Sequence, residues 1–123
     1  MKFLVTAHNK TELEKLTHAI SEAEPEAKIT SAVNFEEAQN ILRDNEFDVV
    51  FIDPDHKGDF TAEALASEIK SKWQNTHIIF VSSNSKHMSE AFRVHADAYL
   101  MKPVKPEDVK KETDYMMNRI RHR

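Results

Sequence analysis

FDVVFIDPDH, residues 47–56, holds the decisive reading. At its centre VVFI, residues 49–52, is apolar at every position, with none of the alternation of a strand that faces water on one side. A run of this kind suits a strand buried on both faces, as in a parallel sheet covered by helices. It ends at an acid, Asp53, followed by Pro54 and a second acid, Asp55. Outward from there the pattern recurs as FLV at 3–5, IIFV at 78–81 and AYLM at 98–101. A more polar run, residues 28–33, reads as an edge strand.

Between these runs the apolar spacing becomes helical. Leu13, Leu16, Ile20 and Ala23 form one stripe, and Phe35, Ala38, Ile41 and Leu42 a second. A third contains Ala62, Leu65, Ile69 and Trp73; a fourth Met88, Ala91, Phe92 and His95; the last Val109, Met116, Met117 and Ile120. Asn9 with Glu12, and Asn34 with Glu37, have capping-box spacing, in which each side chain satisfies a free amide at a helix start. Pro106, Glu107 and Asp108 suit the opening of the final helix, and Arg119, Arg121, His122 and Arg123 its end, each charge where the helix dipole favours it. Five strand–helix units predict an α/β fold, a doubly wound parallel sheet with helices on both faces, forming a single domain over residues 1–123 with no second domain expected.

Composition narrows the chemistry. The 123 residues are 40% hydrophobic and 31% charged, and 17 Lys plus Arg against 21 Asp plus Glu leave a formal charge of −4. That balance argues against a broad phosphate-binding surface, so no direct nucleic-acid contact is expected. No apolar run approaches the roughly 20 residues of a membrane span, and MKFLVTAHNK reads as a strand, not a leader; a cytoplasmic chain without membrane contact is expected. There is no cysteine, which excludes disulfides, thiolate zinc sites and thiol nucleophiles. Gly58 is the sole glycine, so dinucleotide fingerprints and Walker-type loops are absent.

Ligands of an open parallel sheet bind at the carboxyl ends of its strands. Those ends carry Ala7 and His8, Asp53, Ser82 and Ser83, and Lys102 before Pro103. An acid, a hydroxyl and an amine converging there suit a phosphoryl group, with Asp53 as nucleophile, Ser82 as donor and Lys102 as counter-charge.

These segments resemble the receiver domains of two-component response regulators. FDVVFID is similar to the third strand of that family, ending in the phosphoacceptor position, Asp53; HIIFVSS, residues 77–83, to the fourth, with its hydroxyl at Ser82. AYLMKPV, residues 98–104, is similar to the fifth, with the switch aromatic at Tyr99 and the phosphate-pairing lysine at Lys102. The stretch EAFRVHADAYLMKPVKPEDVKK, residues 90–111, resembles receivers that precede LytTR-type DNA-binding domains. The resemblance implies a flavodoxin-like strand order 2-1-3-4-5, a cis bond between Lys102 and Pro103, and a signalling module that is not an enzyme. It implies a histidine kinase or another signalling protein as partner, and a homodimer face on the fourth helix, fifth strand and fifth helix, with Phe92, Tyr99 and Met101 as apolar anchors.

One departure stands out. The family ends its first strand with an acidic pair that binds Mg²⁺, whereas KFLVTAHN, residues 2–9, has Ala7 and His8 there. Mg²⁺ prefers carboxylate oxygen and offsets the charge of the transferred phosphoryl group, so weak Mg²⁺ binding through Asp53, Asp55 and His8, and weakened phosphorylation of Asp53, are expected. A transition-metal role for His8 with Asp53 or His56 is an alternative, since imidazole suits Zn²⁺ or Ni²⁺. A fully functional receiver is the alternative function. Two others compete: DPD resembles the start of aspartyl-phosphate phosphatases, and flavodoxin-type electron carriers share the strand order. Simpler assignments stand beside these, with Asp53 capping its loop, His95 packed at the inner end of the fourth helix and residues 102–111 a solvated face.

Overall fold

The computed structural model describes residues 1–55 and 62–121, the last three by backbone alone. His56, Lys57, Gly58, His122 and Arg123, together with the side chains of Arg119, Ile120 and Arg121, lie outside the described residues. Every predicted strand forms: β1 (Lys2–Thr6), β2 (Lys28–Ala32), β3 (Val49–Ile52), β4 (His77–Ser82) and β5 (Ala98–Met101). All pair in parallel in the order β2-β1-β3-β4-β5. The helices between and after them are α1 (Lys10–Ala23), α2 (Phe35–Asp44), α3 (Ala62–Lys72), α4 (Met88–Arg93) and α5 (Pro106–Arg121), with a 3-10 turn over Ser85–His87 ahead of α4.

The unbroken apolar runs are explained by burial on both faces. Leu4, Val50, Ile52, Ile78 and Phe80 pack with Phe35, Leu42, Leu65, Ile69 and Ala91, under α2, α3 and α4. Their neighbours along the strands, Phe3, Val5, Val49, Phe51, Ile79 and Val81, pack with Leu13, Leu16, Ile20, Val109 and Met116, under α1 and α5. Successive side chains on a strand point to opposite faces, so a strand between two helical layers needs apolar residues throughout.

The amide caps are as predicted for the asparagines: Asn9 accepts from the Glu12 amide and Asn34 from the Glu37 amide, each at 2.8 Å. The carboxylate of Glu12 stands 3.7 Å from Lys102 Nζ, which carries a helix-capping residue into the sheet-end cluster described below. The Lys102–Pro103 bond is cis.

The fourth helical stripe requires correction. Residues 88–95 are not one amphipathic helix; α4 is a short segment whose buried residue is Ala91, and the buried Val94 caps its end. Met88 and Phe92 are 49% and 84% exposed. His95 is exposed and adopts φ 56°, ending the helix in the left-handed region with its N–H bonded to the Phe92 carbonyl. The pattern misled because α4 is only six residues long and ends before His95, too short to bury a stripe of four. Lys102 also departs from the solvated-face reading of residues 102–111, since its ammonium is turned inward.

Candidate functional site

Register determines which residues meet. Ile52 lies beside Phe80 and Ser82 beside Met101, so the residues that follow β3, β4 and β5 emerge at one edge of the sheet. The Lys102 amide donates to the Ser82 carbonyl at 2.8 Å, extending the β4–β5 ladder one step into the site. Beneath Asp53, its amide donates to Thr6 Oγ1 at 3.4 Å, while that hydroxyl donates to the Phe51 carbonyl at 3.2 Å. The buried Thr6 thus holds the end of β3 against β1.

The Asp53 side chain has no exposed surface, and both of its oxygens are engaged. Oδ2 accepts from Lys102 Nζ at 2.8 Å and from His8 Nδ1 at 2.7 Å. Oδ1 accepts from the Asp55 amide at 2.9 Å, a local turn of the kind aspartate favours. Asp55 folds back over β4: Oδ1 accepts from Ser82 Oγ at 2.6 Å, and Oδ2 from the Ser83 amide and Ser83 Oγ, both at 3.0 Å. Lys102 Nζ reaches Asp55 Oδ2 as well, at 3.3 Å, and His87 Nε2 stands 3.7 Å from Oδ1. Tyr99 packs on Phe80, ring centroids 6.2 Å apart, and donates its hydroxyl to the Asn84 carbonyl at 2.7 Å, partly buried and tied to the loop after β4.

Electrostatics follow this arrangement. Burial works to raise the Asp55 carboxyl, but the bonds from Ser82, the Ser83 amide, the Ser83 hydroxyl and Lys102 overcome it and bring the pKa down to about 2. Burial works to lower the Lys102 ammonium, and Asp53 and then Asp55 overcome it, holding the ammonium above its ordinary range. A groove of about 500 Å³ opens beside Asp53, lined in part by Ala7, Glu12, Leu16, Lys102 and Val104.

The donor set offers Mg²⁺ little free oxygen. A hard dication needs several free oxygen ligands. Here Ala7 and His8 end β1 with none, the oxygens of Asp53 and Asp55 are taken by nitrogen and hydroxyl donors, and an ammonium stands between the two carboxylates. Among the described residues no three His, Asp or Glu side chains are grouped so as to share a metal ion. His8 is bonded to Asp53; His56, its other suggested partner, lies outside the described residues.

The predicted residues Asp53, Asp55, Ser82, Lys102 and His8 are therefore brought together, with Tyr99 one shell further out. Ser83, Glu12 and His87 join them. Ser83 was legible as the residue after the fourth strand, whereas Glu12 read only as a capping residue. His87 had no signal, because it arrives through the 3-10 turn.

Comparison with known proteins agrees with this fold. Residues 4–114 match the family described as response regulator receiver domain. The Sensory transduction protein LytR of Staphylococcus epidermidis is 28% identical over 109 residues, 89% of this chain and 43% of that protein. The Transcriptional regulatory protein LytR of Staphylococcus aureus is 26% identical over 103 residues, 84% of this chain and 42% of that one. The chain thus spans less than half the length of these relatives. Among solved structures, the response regulatory domain of mrkE from Klebsiella pneumoniae superposes with a TM-score of 0.85 at 19% identity, covering 100% of both chains. The response regulator TrrA of Thermotoga maritima, solved with Mg²⁺ and BeF, gives 0.81 at 24% identity over 94% of this chain and 97% of that one.

Proposed function

This chain belongs to the response regulator receiver domain family of two-component signalling, and from that premise we propose a receiver in which Asp53 keeps the acceptor position but takes phosphate slowly or not at all. The carrying observation is the double engagement of Asp53 Oδ2, by Lys102 Nζ at 2.8 Å and His8 Nδ1 at 2.7 Å. An acceptor oxygen held by two donors is a poorer nucleophile, because both bonds stabilise the charge that attack would have to spend. Phosphoryl transfer in addition depends on compensation of charge at the transferred oxygens, which Ala7 and His8 do not help a metal to supply.

In this reading Lys102 is the counter-charge of Asp53, Ser82 the hydroxyl that a phosphoryl group there would meet, bonded in this structure to Asp55, and Tyr99 the aromatic of β5 tied to the loop after β4. The output is a change of protein contacts, with no substrate turned over, a reading that the family match supports over the phosphatase and electron-carrier alternatives. The partner is a histidine kinase or another signalling protein, in the cytoplasm. A second copy would use α4, β5 and α5, where Phe92 and Met101 offer exposed apolar surface. Residues 1–123 act as a single receiver domain, and any regulator's output is a separate matter from the site described.

Intact-mass measurement after incubation with acetyl phosphate and Mg²⁺ tests this, with Asp53→Ala as control and the pair Ala7→Asp and His8→Asp as rescue. Little or no phosphoryl mass is expected on the unmodified chain and a clear gain on the rescued one. Efficient Mg²⁺-dependent phosphorylation of the unmodified chain at Asp53 would restore the ordinary phospho-accepting receiver.

A further inference from the structure

The carboxylate of Asp55 receives an unusual set of donors for a residue in a loop. Ser82 Oγ bonds one oxygen at 2.6 Å. The Ser83 amide at 3.0 Å, the Ser83 hydroxyl at 3.0 Å and Lys102 Nζ at 3.3 Å bond the other. Two hydroxyls, a backbone N–H and an ammonium converging on one small volume form the donor inventory that holds an oxyanion. None of them comes from the loop that carries Asp55: Ser82 ends β4, Ser83 follows it and Lys102 follows β5. They are positioned by the sheet, and the carboxylate is brought to them.

We propose that Asp55 is the resident ligand of an oxyanion cradle, its carboxylate filling the donors of Ser82, Ser83 and Lys102 and so excluding external oxyanions from them. The anchorage of the occupant favours this role. The Asp55 amide is fastened to Asp53 Oδ1 at 2.9 Å, which directs its side chain across the sheet edge. A ligand tethered this way competes as though present at high local concentration, without the cost of capture from solution. Its charge also repels a second anion from the same donors. Asp53, the neighbouring carboxylate, shares Lys102 with the cradle but is also bonded by His8, so removal of Asp55 takes one of two carboxylates off the ammonium and leaves the cradle attractive to an anion. Ser82 is held from a second side, where its Oγ accepts the Asn84 amide at 3.3 Å. Because Tyr99 bonds the Asn84 carbonyl, occupation by Asp55 also steadies the loop that the aromatic grips.

The ligand class admitted on removal of Asp55 is a small oxyanion, with inorganic phosphate as the probe. This deepens the reading of Asp53 as a weak acceptor and rests on it for its meaning: a receiver whose donors are satisfied from within has its anion-bound arrangement without phosphorylation. The two can fail separately, since acetyl phosphate on the unmodified chain reports on Asp53 whereas inorganic phosphate on an Asp55 variant reports on the cradle.

The experiment is a titration with inorganic phosphate followed through the Ser83 amide resonance, in the unmodified chain, Asp55→Ala and Asp55→Ala with Lys102→Met. Asp55→Asn, which keeps the shape but loses the charge, serves as a second variant if alanine disturbs the loop. Phosphate should bind Asp55→Ala at least about tenfold more tightly than the unmodified chain, a difference of about 1.4 kcal/mol. The Ser83 amide should be among the resonances that move, and Lys102→Met should abolish most of the gain. Equal affinity with and without Asp55, no response in any variant, or a response confined to residues away from Ser83 would overturn the proposal.

Discussion

Lys102 Nζ stands 2.8 Å from Asp53 Oδ2 across a sequence separation of 49, and the aspartate side chain is wholly enclosed. Removing one member of a buried ion pair is far more harmful than removing both, because the survivor keeps a desolvated charge without compensation. Lys102→Met should destabilise the chain by about 3 kcal/mol, near the low end for such pairs because His8 still bonds Asp53. Adding Asp53→Asn should recover much of that loss. Urea unfolding of the two single variants and the double variant measures the coupling.

The Asp55 carboxyl gives an acid-stability prediction with a definite sign. Its pKa falls from 3.8 to about 2 on folding, so the unfolded chain binds the proton more readily. The stabilisation is present above about pH 4 and is lost as pH falls through 2. Asp55→Asn should remove that part of the acid loss, so the stability difference between the two proteins should shrink as pH falls from about 4 to 2 and stay constant near neutrality. Thermal melts of both proteins between pH 2 and 6 provide the check, and parallel curves would count against the ring of donors around Asp55.

Phe51 and Phe92 should behave as opposites. Phe51 is fully buried and meets Phe3 edge to face at 5.7 Å. Phe51→Ala is expected to cost about 3–5 kcal/mol through lost transfer energy and a cavity. Phe92 is 84% exposed, and Phe92→Ala should change stability by no more than about 0.5 kcal/mol. Denaturant midpoints decide this, and a large loss at Phe92 would return that residue to the core.

Thr113 joins the last helix to the end of the first. Fully buried, it donates to Glu24 Oε1 at 2.5 Å, and Lys110 approaches the same oxygen at 3.4 Å. Thr113→Val keeps the volume and deletes a bond to a charged acceptor, a loss of about 1.5 kcal/mol. The loss should appear in chemical denaturation and shrink when Glu24→Gln is introduced in the same chain.

The strand-end residues were legible because their chemistry interrupts runs that have no other reason to stop. VVFI ends at Asp53, IIFV at Ser82 and AYLM at Lys102, and the unbroken runs themselves reveal a sheet covered on both faces. In the same way Asn9 and Asn34 announced their helices, since a cap is a contact between residues three apart. Met88, Phe92 and His95 were misread for the complementary reason. Periodicity assumes a helix long enough to present a stripe, whereas α4 runs only from Met88 to Arg93 and His95 lies beyond its end in the left-handed region.

The parallel sheet, its helices and the acid, hydroxyl and amine at its carboxyl edge are all readable from local pattern and from where polarity begins. How those groups pair is a property of the folded chain. That Asp53 binds both His8 and Lys102, and that Asp55 turns away from solvent onto Ser82, Ser83 and Lys102, depends on contacts across 27 to 49 positions of sequence. Such distances are set by strand order and register. A carboxylate's partner is then whichever donor the neighbouring strand delivers within about 3 Å, and desolvation makes leaving it unpaired costly.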